Sequence, residues 1–249
     1  MKIVFPELKN PVIAEAVRLC PEIEAVDADD LTIGCQMLAN GQADAMIVGI
    51  DYMTRDVILA CRENIPMVGN YFSSCFVMKK GDKKLVLADG GVCKSPDVDM
   101  LVSIVEQTYD TAKRILEDEP RIAMLSFSTL GSGGEDESIA KIHETLGYIR
   151  EKHPEIIIDG EMQLDVAIDE KVAAKKAANS PVGGQANVLI CPDLNTGNVL
   201  YKAMERFGGW TAAGPILQGF AMPISDLSRG STVEDVVLVI KTMEELNHE

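Results

Sequence analysis

The chain has no apolar run long enough to cross a bilayer; its longest runs are strand-sized, far below the ~20 residues a membrane span needs. The N-terminus MKIVFPELKN lacks the apolar core of a signal peptide and reads as a first strand, so a cytoplasmic protein with no membrane partner is expected. Positive charge is scarce. Lys and Arg number 23 against 39 Asp and Glu, a formal net charge of −16, which argues against nucleic acid and anionic membranes as partners. An anionic ligand would have to be met by local cations or helix N-termini. The six cysteines (20, 35, 61, 75, 93 and 191) include no C-x-x-C pair, which speaks against disulfides and zinc and for free thiols in a reducing compartment. Three histidines, His143, His153 and His248, lack the neighbours that triads and metal sites require and are expected on the surface. There is no GK[ST] phosphate loop, no GxGxxG fingerprint, no internal repeat and no Pro/Gly/Ser linker.

What is present is ordinary globular composition, 47% apolar and 25% charged over 249 residues, enough for one large domain or two small ones sharing a cleft. Short apolar runs alternate with helical periodicity, the pattern of an α/β protein with a largely parallel sheet. Strands are expected at Ile3–Phe5, Ala45–Val48, Cys75–Met78, Leu85–Ala88, Ile122–Leu125, Ile156–Ile158, Val188–Cys191 and Ile216–Phe220. Helices are expected over 97–117, where Leu101, Ile104, Val105, Thr108, Ala112, Ile115 and Leu116 recur at helical spacing, and over 135–152, 165–178, 196–206 and 232–246. Five polar turns are read at strand ends: 88–92, 126–134, 159–161, 192–198 and 214–219. In open α/β sheets ligands bind outside the carboxyl ends of strands, so these turns point to one shared cleft.

Four stretches carry candidate chemistry. In SFSTLGSGG (126–134) the hydroxyls of Ser128, Thr129 and Ser132, with amides freed by Gly131, Gly133 and Gly134, have the makings of a phosphate cradle; a plain Gly/Ser turn is the alternative. In PDLNTGNVLYK (192–202) Asn195 or Thr196 would cap a helix carrying Lys202 about two turns in, or the motif is a simple cap with a solvated lysine. DGEMQLD (159–165) clusters three carboxylates, for which capping and solvation are favoured over Mg²⁺. In DLSRGSTVEDVV (226–237) Ser231 and Glu234 match a capping box, and Asp235 falls in the first turn, where the helix dipole favours negative charge. That dipole disfavours Arg229, which therefore calls for an anionic partner: Asp226, Asp235 or a ligand.

Together these motifs, with ADGGV (88–92), EPRIAMLSFSTLGSG (119–133), ANVLICPDLNTGNVLYK (186–202), GPILQG (214–219) and IVFPE at the start, resemble the phosphate acetyl/butyryltransferase family, and its phosphate acetyltransferase branch in particular. The match runs almost continuously from about residue 85 onward. The resemblance implies an isocitrate/isopropylmalate dehydrogenase-like fold with two α/β domains around a cleft, here 1–70 plus 222–249 and 71–221, usually as a homodimer. It implies reversible acyl transfer between coenzyme A and inorganic phosphate, with acyl-CoA, phosphate and acyl phosphate as partners, acetyl as the favoured acyl group, and no metal or other cofactor. By the same resemblance Asp235 deprotonates the CoA thiol, Ser228 and Arg229 orient and stabilise the acyl phosphate, and Ser128, Thr129, Ser132, Asn195, Lys202 and Gln218 line the substrate site.

The chain departs from the family pattern at two places. The link between the first strand and GQADAMIVG (41–49) is short and reads as helical, with Glu22, Glu24, Asp27, Asp29 and Asp30, and Leu59 stands where the T-x-D-x-x-R-P motif has its arginine. Arg55 or Arg62 is the available substitute. These departures motivate a second reading: a relative, partner-dependent or non-catalytic, that binds acyl phosphate or phosphate without productive CoA binding.

Overall fold

The computed structural model describes residues 1–247; His248 lies outside the described residues. In chain order the elements are β1 (Lys2–Phe5), α1 (Pro11–Arg18), β2 (Glu24–Asp27), α2 (Leu31–Ala39), β3 (Ala45–Val48), α3 (Thr54–Asn64), β4 (Ser73–Lys80), β5 (Lys83–Ala88), α4 (Val98–Ile115), β6 (Arg121–Leu125), α5 (Glu137–Lys152), β7 (Ile157–Met162), α6 (Leu164–Ile168), α7 (Glu170–Lys176), β8 (Val188–Ile190), α8 (Leu194–Arg206), β9 (Thr211–Gln218), β10 (Ile224–Asp226) and α9 (Val233–Asn247). They form two compact units, 1–72 with 212–249, and 73–211. Residues 212–221, expected with the second unit, group with the first, where β9 is hydrogen-bonded to β10.

In the first unit the strand order is β2-β1-β3-β10-β9. All neighbours are parallel except β10 and β9. Ile3, Val4 and Phe5 of β1 and all four residues of β3 are fully buried. This matches the near-continuous apolar character of strands covered on both faces. Helix α1 packs on α9, and α2 on α3. The acidic link after β1 is not simply helical. It supplies the edge strand β2, then α2, whose cap Asp30 accepts the Ile33 amide at 2.8 Å.

In the second unit the order is β4-β5-β8-β6-β7, with β4 and β5 an antiparallel hairpin and the rest parallel. Helix α4 buries Leu101, Ile104, Val105, Thr108, Ala112 and Ile115, the stripe read from the sequence except Leu116, which is its half-buried C-cap, and Asp97 caps it through the Met100 amide at 2.9 Å. The helix expected over 165–178 is broken at Asp169. Its carboxylate accepts the Lys171 and Val172 amides and starts α7 afresh. Two expected turns lie inside strands: 159–161 within β7 and 214–218 within β9. Among the described residues no helix is long and apolar enough to cross a membrane.

Candidate active site

In the first unit the carboxyl ends of β1, β3 and β10 lie side by side, and the chain leaves β10 through Leu227 into Ser228-Arg229-Gly230. The Ser231 amide returns to the Ser228 carbonyl at 2.9 Å, closing a turn that leaves Ser228 and Arg229 exposed. The capping box ahead of α9 is shifted one residue from expectation. Thr232 and Asp235 form it: the Asp235 amide donates to Thr232 Oγ1 at 3.2 Å, and Asp235 Oδ2 accepts the Thr232 amide at 2.8 Å. Asp235 is half-buried, and its Oδ1 accepts no hydrogen bond among the described residues.

Arg229 forms no ion pair with Asp226 or Asp235. Asp226 is 1% exposed, whereas Arg229 is on the surface. Neither Asp226 oxygen is paired in a well-formed hydrogen bond. Burial pushes the Asp226 carboxyl up to about 6; the nearby Thr54 hydroxyl works against the rise, and the Glu7 carboxylate adds to it. Arg229 therefore pairs with neither of the two carboxylates proposed for it from the sequence.

Helix α3 bears on the CoA question. Arg55, Leu59 and Arg62 are all exposed and stand at i, i+4 and i+7, a single helix face. Two cations therefore flank the position where the family arginine is missing. The Arg62 guanidinium lies 5.7 Å from the Phe72 ring centroid.

In the second unit the serine-rich loop 126–134 is built around a buried carboxylate. Glu161, fully buried in β7, accepts the Ser128 hydroxyl at 2.6 Å and the Gly131 amide at 2.8 Å through Oε1, while Oε2 lies 2.6 Å from His143 Nε2. Burial alone would raise the Glu161 carboxyl, but bonds from Ser128, the Gly131 amide and His143 together outweigh it and hold it below the usual carboxylate range. His143, on α5, is half-exposed as expected, yet it has a buried acidic partner that the sequence did not show.

The expected cradle of free amides is not there. The amides of Ser128, Thr129, Leu130, Gly131, Ser132, Gly133 and Gly134 all bond within the loop or to Glu161. The glycines serve the turn, with Gly131 and Gly134 at φ of 91° and 72°. Ser128 and Thr129 are buried, the latter accepting the Gln163 amide at 3.1 Å. Ser132 is the one of the three hydroxyl residues that is exposed.

Helix α8 is capped by Asp193, which accepts the Thr196 amide at 2.9 Å, and not by Asn195 or Thr196; a carboxylate also gains from the helix dipole. Asn195 and Lys202 are exposed, with the Lys202 ammonium 5.6 Å from the Tyr201 ring. Gln218 is buried at the end of β9, which runs antiparallel to β10 with Leu217 opposite Ile224. That puts Gln218 at the amino end of β10, the far end from Ser228. The carboxylates of DGEMQLD do not converge: Asp159 binds Arg150 and Ser180, Glu161 binds the serine loop, and Asp165 pairs with Lys176.

Two further residues went unnoticed in the sequence. Asp89 in ADGGV is 2% exposed and gathers the amides of Ser74, Gly91, Val92 and Cys93 together with the Ser74 hydroxyl. Glu7, in IVFPE, does the same for residues 49–52. A pocket of about 530 Å³ opens at the carboxyl ends of β6 and β8, with Ser126, Phe127, Lys141 and Thr196 on its wall. It uses the neighbours of the nominated residues and none of Ser128, Thr129, Ser132, Asn195 and Lys202.

The chain is thus a two-unit α/β protein whose strand ends carry a serine-glycine loop and a Ser-Arg-Gly turn followed by a helix-capping aspartate. The chain belongs to the phosphate acetyl/butaryl transferase family, whose pattern matches residues 15–243. It is 38% identical over 222 residues to the phosphate acetyltransferase of Treponema pallidum (strain Nichols), an alignment that takes in 84% of this chain and 65% of that protein. The crystal structure of a phosphotransacetylase from Streptococcus pyogenes superposes with a TM-score of 0.89 at 30% identity, covering 100% of this chain and 94% of that one. The fold alone is shared with 4-hydroxythreonine-4-phosphate dehydrogenase from Klebsiella pneumoniae, at a TM-score of 0.55 and 11% identity over 88% of this chain and 69% of that one.

Proposed function

We propose that this chain is a phosphate acyltransferase, moving a short acyl group, acetyl in the first instance, reversibly between CoA and inorganic phosphate. The observation that carries the reading is Arg229: an exposed guanidinium without a partner among the described residues, held just before a helix N-terminus in a protein of net charge −16, six residues from an aspartate with one open carboxylate oxygen. Family membership supports the same reaction.

In the direction of thioester synthesis, Asp235 takes the proton of the CoA thiol, and the thiolate attacks the carbonyl carbon of the acyl phosphate. The bond from that carbon to the phosphate oxygen breaks and phosphate leaves. A thiol of pKa ~8.5 is mostly un-ionised at neutral pH, so a positioned carboxylate accelerates the step. Arg229 offers a planar fork of donors to the phosphate oxygens, and Ser228 a hydroxyl beside it. Ser128 and Thr129 shape the serine loop, and Ser132, whose Oγ accepts the Thr129 amide at 2.9 Å, is the exposed member of the three. Asn195 and Lys202 supply exposed polar groups on α8. Arg55 and Arg62 take the place of the missing family arginine at the CoA phosphates, which supports catalysis over a binding-only role. We place the enzyme in the cytoplasm as a homodimer; six free, buried cysteines support a reducing compartment.

The test is thiol release from acetyl-, propionyl- and butyryl-CoA with and without phosphate. Phosphate-dependent release is expected, strongest with acetyl-CoA. Its absence with all three sinks the proposal. Gel filtration coupled to light scattering checks the dimer.

A further inference from the structure

We infer that Glu7 is a positioning residue for this reaction, setting the backbone that aims Ser228 and Arg229; the inference rests on the functional reading above. Glu7 lies in the turn after β1, is 6% exposed, and touches no residue of the proposed catalytic set. Its two oxygens collect four successive amides: Oε2 accepts Gly49 at 2.8 Å and Ile50 at 3.1 Å, and Oε1 accepts Asp51 at 2.6 Å and Tyr52 at 3.0 Å. Four consecutive amides aimed at one point form a small anion nest, here filled by the protein's own carboxylate. Without it, the buried Gly49 amide would be left unsatisfied, its three part-buried neighbours would lose their acceptor, and the loop would move to find other partners.

The loop so held is pressed against the catalytic strand. Strand β3 runs parallel to β10 with Val48 opposite Asp226, and the Leu227 amide donates to the Val48 carbonyl at 2.5 Å. The next residue, Gly49, has φ of 120°, and a Cβ there would fall 2.6 Å from the Leu227 nitrogen and 2.7 Å from its oxygen, closer still to Asp226 Oδ1. There is no slack between Gly49 and Leu227. A shift of the loop is therefore passed directly to the residue that precedes Ser228. A second tie holds the loop from outside: Asn10 Nδ2 donates to Asp51 Oδ2 at 3.0 Å, while Asn10 Oδ1 caps α1.

Glu7→Gln keeps the shape of the side chain but turns an NH₂ toward two of the four amides, so it loosens the loop without opening a cavity. The experiment compares wild type, Glu7→Gln, Arg229→Ala and the double variant in the thiol-release assay, with thermal unfolding of each. Glu7→Gln should lower kcat by about tenfold or more, since misplacements of about 1 Å cost up to ~10²-fold. It should remain folded at the assay temperature. In the Arg229→Ala background the same change should cost less than about threefold, because Glu7 acts through the segment that Arg229 occupies.

A merely structural Glu7 would lower the melting temperature and leave kcat and KM of the folded enzyme unchanged; that result overturns the inference, as does full additivity with Arg229→Ala. Should Glu7→Gln not fold, Asp51→Ala, which removes the outer tie, must show the same coupling to Arg229→Ala, and additivity there overturns it equally. An active wild type with an unaffected Glu7→Gln defeats this inference alone. An inactive wild type defeats the functional reading, and the inference with it.

Discussion

Thr232 and Asp235 bond to each other twice, the Asp235 amide to the Thr232 hydroxyl at 3.2 Å and the Thr232 amide to Asp235 Oδ2 at 2.8 Å. The residue proposed to take the thiol proton is therefore locked in orientation by the helix it begins. The box fixes Oδ2 and leaves Oδ1 without a hydrogen-bond partner among the described residues, a division within one carboxylate.

That division separates two substitutions. Asp235→Asn keeps an oxygen for the Thr232 amide but has no basic site, so kcat should fall by about 10²–10⁴-fold with little change in melting temperature. Thr232→Ala breaks the box instead and should cost about 1 kcal/mol of stability, with a much smaller loss of kcat. Steady-state rates and thermal unfolding of both variants decide the matter. Equal losses of rate would place Asp235 in a structural role only.

Arg229 has no partner to lose among the described residues. Arg229→Lys should leave the melting temperature unchanged while lowering kcat/KM for phosphate by about 10–100-fold, because an ammonium does not reproduce the bidentate fork. A variant with wild-type kcat/KM would remove Arg229 from the phosphate site.

Asp226 predicts a pH dependence. Its folded carboxyl, at about 6, lies above the ordinary 3.8, so the stability linked to it is fully present below 3.8 and is lost as pH rises through 6. The shift corresponds to a penalty of about 3 kcal/mol once the group is ionised. Asp226→Asn should be more stable than wild type at pH 8, and the gap should close on acidification toward pH 4. Urea unfolding across that range measures it; a gap independent of pH would be inconsistent with an ionising, unpaired carboxylate.

Ser128→Ala takes the strongest neutral donor from Glu161. The cost should be about 1–3 kcal/mol, the penalty for leaving a buried acceptor short of a partner. Glu161 contributes stability above its unfolded value of 4.5, and this is lost as pH falls through its lower folded value. The variant should therefore show weaker acid sensitivity below pH 4.5 than wild type, together with faster proteolysis in 126–134. Unchanged acid unfolding would mean that His143 and the Gly131 amide suffice.

Much of the fold was legible because apolar runs and helical stripes report burial directly, as in α4 and β3. Two strands were not. The edge strand β2 reads EAVD, flanked and ended by acids, and β10 is only three residues long, with Pro223 before it and Asp226 as its last member. The local geometry around the candidates Ser228, Arg229 and Asp235, a turn followed by a capping box, was legible because the residues that form it are neighbours in sequence. It was not legible at Glu7, Asp89 and Glu161, three acids that composition assigns to solvent. Each is met by donors that include groups well removed in the chain, 15 residues away for Ser74 and Asp89, 33 for Ser128 and Glu161, and 45 for Tyr52 and Glu7. The place of Gln218 beside the amino end of β10 was not legible for a related reason, because the sequence does not show that β9 and β10 pair antiparallel.

The order of the chain has a consequence for synthesis on the ribosome. Residues 73–211 are continuous and can fold as they emerge, but β10, which separates β3 from β9, appears only after them. At about 5–20 residues per second, β3 spends on the order of ten seconds with one edge bare, and that edge is entirely apolar in side chain. A nascent chain arrested before residue 212 should resist protease over 73–211 and be cut within 1–72, the stretch a chaperone would have to guard.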